Sequence, residues 1–297
     1  METSALDHAA SVFVSVRPRL FGIAYRMLGS AVEAEDIVQN VWLRWQATDR
    51  SVVLDAPAFL ATTARLAINR AQSARSHRET YVGPWLPEPV DTSADPALGA
   101  ERGAALEFAI LLLLENLSPK ERAAYVLREA FHYPYQQIAD ILRLSEANTR
   151  QLVTRARKHI ADGRRSPVSA AEQRRLLVAF IAAAQKGDIA ALEGLLASNV
   201  VSSADGGGVV RAARVPVVGR ASVAKFIAAI ASHFWTGVTL EWIEANAQAS
   251  VVILRDGAVV GLVTITASAE GIDQILWMMR PSKLAAISRA LLASRAQ

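Results

Sequence analysis

The chain has 297 residues, 52% of them hydrophobic and 20% charged, with a formal net charge of +4; that length predicts two or three domains, and the composition excludes wholesale disorder. With no cysteine, disulfides, thiol catalysis and cysteine-based zinc sites are excluded. The longest apolar run near the middle, Phe108 to Leu114, is far too short to span a membrane. The opening residues METSALDHAASVF lack the basic start and apolar core of a signal peptide, so a cytoplasmic protein is expected.

The first part reads as helical. Leu6 to Leu28 has a helical pattern and stops at Gly29, a usual C-terminal signal. Ser30 and Glu33 form a capping box for a second helix, in which Ala34, Ile37, Val38, Val41 and Trp45 fall on one face and predict core. Glu33, Asp36, Gln39, Asn40 and Arg44 lie on the other face. A third helix is predicted from near Pro57. It runs into a basic stretch, Ala56 to Arg78, which holds four arginines (Arg65, Arg70, Arg75, Arg78) and no acid.

Tyr81 to Pro96 carries four prolines, Pro84, Pro87, Pro89 and Pro96, which deny helix and favour extended backbone. This is a linker. Trp85 and Leu86 are costly to leave in water, so Trp85 is expected to dock, either on another part of the protein or locally under its own domain.

Helix resumes near Leu98. Ser118, Pro119 and Glu121 make a second capping box. Tyr135 to Leu142 is a short helix, Arg143-Leu144-Ser145 a turn, and Ser145 the cap of the next helix. In that helix Leu152, Val153, Ala156 and Ile160 form an apolar stripe. Asn148, Arg150, Gln151, Thr154, Arg155, Arg157 and Lys158 lie mainly off it. From Arg143 to Arg165 there are seven cations against two anions. A helix-turn-helix that packs by one side and offers donors to a major groove by the other fits this pattern; a solvated helix end with cations near its C-terminus fits it too.

Past a short linker, Gly163 to Ser169, the period changes. Helices are predicted at Ala171 to Lys186, Ile189 to Leu196 and Ser222 to Ser232. Strands are predicted at Val238 to Ala245, Val251 to Leu254, Val259 to Ala267 and Ile272 to Met279, with Asp256-Gly257 a hairpin turn. The expectation is an α+β domain whose helices gather before an antiparallel sheet, followed by a C-terminal tail. Asp205-Gly206-Gly207-Gly208 lacks the lysine and helix of a nucleotide loop, so its glycines point to close backbone approach by the linker or a partner. His233, with Asp205, Asp256 or Asp273, is the one pairing here that could support catalysis. Trp235, Trp242 and Trp277 could line a pocket or fill a core.

Three motifs together resemble a bacterial sigma factor of the extracytoplasmic-function (ECF) group, the reduced type with domains 2 and 4. SAVEAEDIVQNVWLRWQA, Ser30 to Ala47, is similar to the helix with which these proteins grip the clamp helices of RNA polymerase. APAFLATTARLAINRAQSARSHR, Ala56 to Arg78, resembles the region that melts and reads the −10 element. Leu117 to Ile160 resembles the domain that reads the −35 element. WLPEP at Trp85 to Pro89 and DGGG at Asp205 to Gly208 match a subgroup with a SnoaL-like (NTF2-like) C-terminal domain. RPSKL at Arg280 to Leu284 corresponds in part to that subgroup's asparagine-proline-aspartate-lysine-leucine, departing at Arg280 and Ser282. Leu152 also stands where many such proteins carry a basic residue, which implies a different −35 preference.

The resemblance implies a multidomain fold: all-α sigma domains 2 and 4, with the helix-turn-helix, followed by an α+β cone. The expected boundaries are domain 2 at 1–80, linker 81–97, domain 4 at 98–163, linker 164–170, SnoaL-like domain 171–280 and tail 281–297. It implies contact with RNA polymerase core through Glu33, Asp36, Gln39 and Asn40. Single-stranded −10 DNA falls to Arg65, Asn69, Arg70, Arg75 and Arg78, with Asn69 the candidate base contact. Double-stranded −35 DNA falls to Asn148, Arg150, Gln151, Thr154, Arg155, Arg157 and Lys158. Trp85, Leu86, Pro87, Glu88, Pro89, Asp205, Gly206, Gly207, Gly208, Lys283 and Leu284 are implied to be regulatory. No cofactor, metal, membrane partner or catalytic residue is implied, and the tail domain acts in place of, or besides, a separate anti-sigma protein. Two rivals stay open: a one-component helix-turn-helix regulator with a ligand-binding cone, and a SnoaL-type cyclase or isomerase fused to a DNA-binding module.

Overall fold

The computed structural model describes residues 2–47, 63–72, 80–92, 107–163 and 166–295. The chain divides into two compact units. The first holds Met1–Glu79, Ala100–Leu106 and Ile110–Arg164; the second holds Thr80–Gly99, Glu107–Ala109 and Arg165–Gln297. The residues expected to form the two helical domains thus share one unit, and the Pro-rich linker clusters with the C-terminal domain.

In the first unit, α1 (Glu2–Leu28) ends at Gly29, whose φ of +64° reverses the chain as the sequence predicts. The Ser30 hydroxyl then accepts the Glu33 N–H at 3.2 Å, opening α2 (Ala31–Ala47). The predicted apolar face of α2 is the face that is buried: Ala34, Ile37, Val38, Val41 and Trp45. The helix α3 is described over 63–72; its predicted start near Pro57 lies outside the described residues. So does the predicted resumption of helix near Leu98. The next described helix is α4 (Phe108–Glu115), which belongs to this unit from Ile110 onward.

Ser118 and Glu121 make both halves of the capping box on α5 (Pro119–Tyr125). A π-turn, Val126–Ala130, continues α5; such turns tend to mark functional positions. The helix-turn-helix follows as α6 (Tyr135–Leu142) and α7 (Glu146–Gly163). Arg143, at φ +53°, turns the chain between them.

The second unit is built on six strands: β1 (Leu196–Asp205), β2 (Val217–Val218), β3 (Val238–Ala245), β4 (Gln248–Arg255), β5 (Ala258–Ser268) and β6 (Gly271–Met278), in the order β2-β1-β6-β5-β4-β3. Here the structure corrects the sequence reading. β1 pairs with β6 in parallel, so the sheet is mixed rather than antiparallel. The helices also do not all precede it. Of α8 (Ala170–Lys186), α9 (Ile189–Leu195) and α10 (Arg220–Phe234), the last lies between β2 and β3, and the expected tail is a helix, α11 (Pro281–Arg295). A parallel pair needs a crossover connection, and the β1-to-β6 connection is the rest of the sheet. Leu177, Phe180 and Ala184 of α8 and Val223 and Ile227 of α10 pack on Val251, Ile253, Val263, Ile265 and Ile275 of the sheet. Val252, Leu254, Leu262 and Met278 are also buried and lie on the opposite face by strand alternation. With both faces covered, β4 reads as an unbroken apolar run.

Two of the three two-residue hairpins, Asn246-Ala247 and Asp256-Gly257, have positive φ at both central residues, the geometry that matches strand twist. Asp, Asn and Gly tolerate this; Ala247, at φ +57°, does not do so cheaply. The linker holds it there: Ala247 N–H donates to Thr92 Oγ1 at 3.0 Å, and Asn246 N–H donates to Val90 O at 2.9 Å. Ala247→Gly should therefore stabilise the second unit by roughly 1 kcal/mol, since a left-handed Cβ costs ~1–2 kcal/mol and glycine's looser unfolded chain returns part of the gain. Chemical denaturation of the full chain checks the sign.

Candidate nucleic-acid interface

The amphipathic division of α7 is sharp. Leu152, Val153, Ala156 and Ile160 are buried, joined by Thr149, whose hydroxyl donates to Ser145 O at 3.0 Å. Asn148, Arg150, Gln151, Thr154, Arg155, Arg157 and Lys158 are all exposed. Several of these cations are held by neighbours. Arg150 pairs with Glu146 at 2.5 Å, Arg155 with Glu121 at 3.2 Å and Arg157 with Glu129 at 2.7 Å. Glu121 is held below the ordinary carboxylate range, first by the Ser118 hydroxyl and then, against some burial, by the Ser118 N–H and Arg155. The Arg150 guanidinium lies 4.4 Å from the Tyr135 ring centre, and Arg128 lies 4.6 Å from the same ring. Tyr135 and Arg128 were not legible as site residues; an aromatic at the start of a short helix gives no sign of which cations will stack on it. Exposed ion pairs are worth about 0–1 kcal/mol, so these side chains are pre-oriented yet cheap to transfer to a phosphate or base.

On α2, Asp36, Gln39 and Asn40 are exposed and Glu33 is half-buried. Val32 and Leu43, 54% and 55% exposed, share their face by helical spacing, giving a mixed apolar and polar stripe. On α3, Asn69 is exposed, and Arg70 pairs with Glu33 at 3.3 Å, which joins two residues assigned to different partners. Arg65 is turned to another use: its Nε donates to Ile141 O at 2.9 Å and its Nη2 to Asp140 O at 3.1 Å, at the C-terminal turn of α6. Arg75 and Arg78 lie outside the described residues. The two helical domains also meet through Arg19 to Phe131 O at 2.9 Å and Arg122 to Met27 O at 2.7 Å.

A third cluster lies within the second unit. Asp205, at the end of β1, is fully buried. Its carboxylate accepts Tyr81 OH at 2.5 Å, Leu86 N–H at 2.9 Å and Lys283 Nζ at 2.7 Å. Lys283 also donates to Leu86 O and lies 4.2 Å from the Trp85 ring centre. Leu86, Pro87, Glu88 and Pro89 are all buried, as is Leu284. The glycines admit this approach. A Cβ on Gly207 would lie 2.8 Å from Tyr81 OH and 2.7 Å from Arg280 Cδ, and one on Gly208 would lie 3.1 Å from Val82 Cβ. Gly206 is tight against its own loop, 2.5 Å from Val210 O by the same measure. Burial pushes the Lys283 ammonium down to about 8, with Asp205 opposing. Burial and the Asp205 hydrogen bond push Tyr81 up to about 12, so Tyr81 stays a donor. Tyr81, four residues before WLPEP, carried no signal of its own.

The pairing of His233 with Asp205 is not formed; His233 is exposed beside Ser232 Oγ at 3.1 Å. Trp277 donates to Ser202 Oγ at 3.1 Å and packs with Phe180, Phe234 and Trp235 as core. Trp242 is apart from them, 38% exposed. Among the described residues no group of three or more His, Asp or Glu could hold a metal ion, and no described helix is long and apolar enough to cross a membrane.

Residues 12–78 match Sigma-70 region 2, and residues 107–160 match Sigma-70, region 4. The chain is 36% identical over 238 residues to the ECF RNA polymerase sigma factor SigJ of Mycobacterium tuberculosis, covering 77% of this chain and 75% of that protein. It is 31% identical over 285 residues to the protein named "Probable ECF RNA polymerase sigma factor SigI" of the same species, covering 94% and 95%. The crystal structure of Mycobacterium tuberculosis SigJ superposes with a TM-score of 0.75 at 29% identity, over 93% of this chain and 98% of that one. The chain belongs to the ECF RNA polymerase sigma factors of the sigma-70 family, with a SnoaL-like C-terminal domain.

The depressed Lys283 value has a signed consequence. An unfolded lysine titrates near ~10.4, so from about pH 8 to 10 the unfolded chain binds the extra proton and the stability contributed at this site rises with pH. Lys283→Met should lower stability at neutral pH, by leaving Asp205 short of a charged donor, and should abolish that rise. Denaturation of the two full-length proteins across this window measures both.

Proposed function

We propose that this sigma factor grips polymerase core by the exposed α2 face, captures the −10 strand with the α3 residues and reads the −35 element with α7. The observation that carries the reading is α7 itself: seven polar side chains exposed over a buried apolar stripe, in a chain that belongs to the sigma family. The stripe Val32, Asp36, Gln39, Asn40 and Leu43 suits a helical partner with mixed polar and apolar character. The family membership favours a non-enzymatic role.

The C-terminal domain is proposed to regulate. It holds the linker between the two DNA-reading domains, in place of, or besides, a separate anti-sigma protein. Core binding has to spread those domains, so any contact that favours their packing opposes activity by its differential free energy. The Arg65 bonds to the α6 carbonyls are contacts of that kind, and a promoter phosphate would compete for the same guanidinium.

In vitro transcription with core enzyme tests the α7 assignment. Arg150→Ala or Gln151→Ala should relax preference at one or two −35 positions by ~1–3 kcal/mol. Lys158→Ala should weaken all promoters evenly and flatten the salt dependence. Identical effects of all three on every sequence would sink the assignment.

The regulatory reading is tested with truncations in the same assay. Removing residues from Arg280 onward takes away Lys283 and should raise activity. Removing the whole domain leaves the linker uncovered and should give a different activity again. Trp85→Ala should change activity while −35 preference stays fixed. Equal activity of full-length, tail-less and domain-less proteins would leave the domain without a regulatory role.

A further inference from the structure

The longest stretch of the chain without aspartate or glutamate is not in the helical domains. It runs from Gly206 to Leu240, 35 residues carrying Arg211, Arg214, Arg220 and Lys225. A second acid-free stretch, Gln274 to Gln297, carries Arg280, Lys283, Arg289 and Arg295. The fold brings the two together at the linker. Gly207 packs on Tyr81 and Arg280, Gly208 on Val82, and a Cβ on Gly83 would lie 3.6 Å from Arg214 Cα. The Arg280 guanidinium stacks on the Tyr81 ring, 5.3 Å from its centre. The loop is fixed by a tight turn, with Gly206 O accepting Val209 N–H at 3.0 Å and Val210 N–H at 3.1 Å.

The roles of these cations differ. Lys283 is consumed by Asp205 and Leu86, and Arg220 Nε donates to Leu196 O at 2.8 Å. Arg211 and Arg214 are exposed, and among the described residues neither pairs with a carboxylate. The nearby acids are spent: Asp205 is fully buried and triply bonded, and Glu88 is buried. Beside the two arginines, Val209 and Val215 are each 72% exposed. A sugar-phosphate backbone offers anionic oxygens to the arginines and deoxyribose carbons to the valines.

We propose that the loop from Gly206 to Val215, through Arg211 and Arg214, is a phosphate-backbone contact for promoter DNA on the C-terminal domain, additional to those of the two helical domains. Covalent continuity favours DNA over an acidic protein surface. Val82, against which the loop packs, follows Arg78 by four residues, and four residues reach at most about 14 Å in any conformation. Arg78 closes the acid-free stretch proposed to hold −10 DNA, so the loop packs on a residue only four positions along the chain from a proposed DNA contact. The inference rests on the sigma-factor reading. It extends that reading by making the C-terminal domain a DNA-binding element as well as a regulatory one.

The test uses full-length protein with polymerase core on a cognate promoter, measuring complex affinity across potassium chloride concentrations. Each lost phosphate contact removes about 0.7 to 0.9 from the log–log salt slope, the lower value for single strands. Arg211→Ala combined with Arg214→Ala should therefore reduce the slope by roughly 1.4 to 1.8, with −35 base preference and core binding in the absence of DNA unchanged. Arg211→Lys combined with Arg214→Lys should keep the slope near that of the parent. An unchanged slope in the alanine protein overturns the proposal. Loss of core affinity without DNA also overturns it, assigning the loop to an acidic face of the polymerase instead. If the unaltered protein forms no promoter complex with core, the sigma-factor reading fails, and this inference with it, before any variant is made.

Discussion

A carboxylate shut away from water must be surrounded by donors, and Asp205 sets that condition for the second unit. Its three donors come from Tyr81, Leu86 and Lys283, 124, 119 and 78 residues away in sequence. No one segment can satisfy it, so the linker and α11 are fixed by the same atom. The prolines keep the linker extended, which lets Leu86 present its N–H and its carbonyl to the cluster while Trp85 covers the ammonium. The glycines after Asp205 give the room. Removing any one charged member would leave another buried and unpaired, a loss of about 3–5 kcal/mol for a buried pair, so the cluster holds or fails as a unit.

The first unit uses its cations differently. Arg65, Arg19 and Arg122 donate to backbone carbonyls of the other helical domain, while the arginines of α7 pair with carboxylates at the surface. The surface pairs exchange readily, whereas Arg122 is buried and its bond to Met27 O does not. A guanidinium presents five donors in a fixed fork, suited equally to a carbonyl at a helix end and to a phosphate. In the proposed function it is the surface arginines of α7 that exchange their carboxylates for DNA. The mixed stripe on α2 is the complement of this. Its Val32 and Leu43 are 54% and 55% exposed, so the stripe presents apolar as well as polar surface.

The departures of the RPSKL segment acquire a meaning from the same geometry. The clasp depends on Lys283 and Leu284, and both are present and buried. Of the two positions that differ from the subgroup pattern, Ser282 is exposed, whereas Arg280 stacks on Tyr81, itself a donor to Asp205. In this chain the tail helix is docked through Lys283 and Leu284.

Much of the local architecture was written in the sequence. Caps at Ser118 and Ser145, the stop at Gly29, the buried faces of α2 and α7 and the Asp256-Gly257 hairpin follow from interactions within four or so residues, where propensity and periodicity act directly. The motifs WLPEP and DGGG flagged the clasp, and the glycine run predicted a close approach. What local pattern could not carry was decided at long range. The parallel pairing of β1 with β6 depends on which strand edges remain open once the hairpins have formed. The helix in the expected tail owes its burial to packing on β5. The role of Tyr81 was silent because its partner lies 124 residues away. Arg65 and Arg157 look alike in sequence, and only the fold directs one to a carbonyl and the other to a surface carboxylate. A hydrogen-bond acceptor distant along the chain leaves no periodic trace, so the sequence by itself determined which side chains could bind, and the tertiary structure decided what each of them holds.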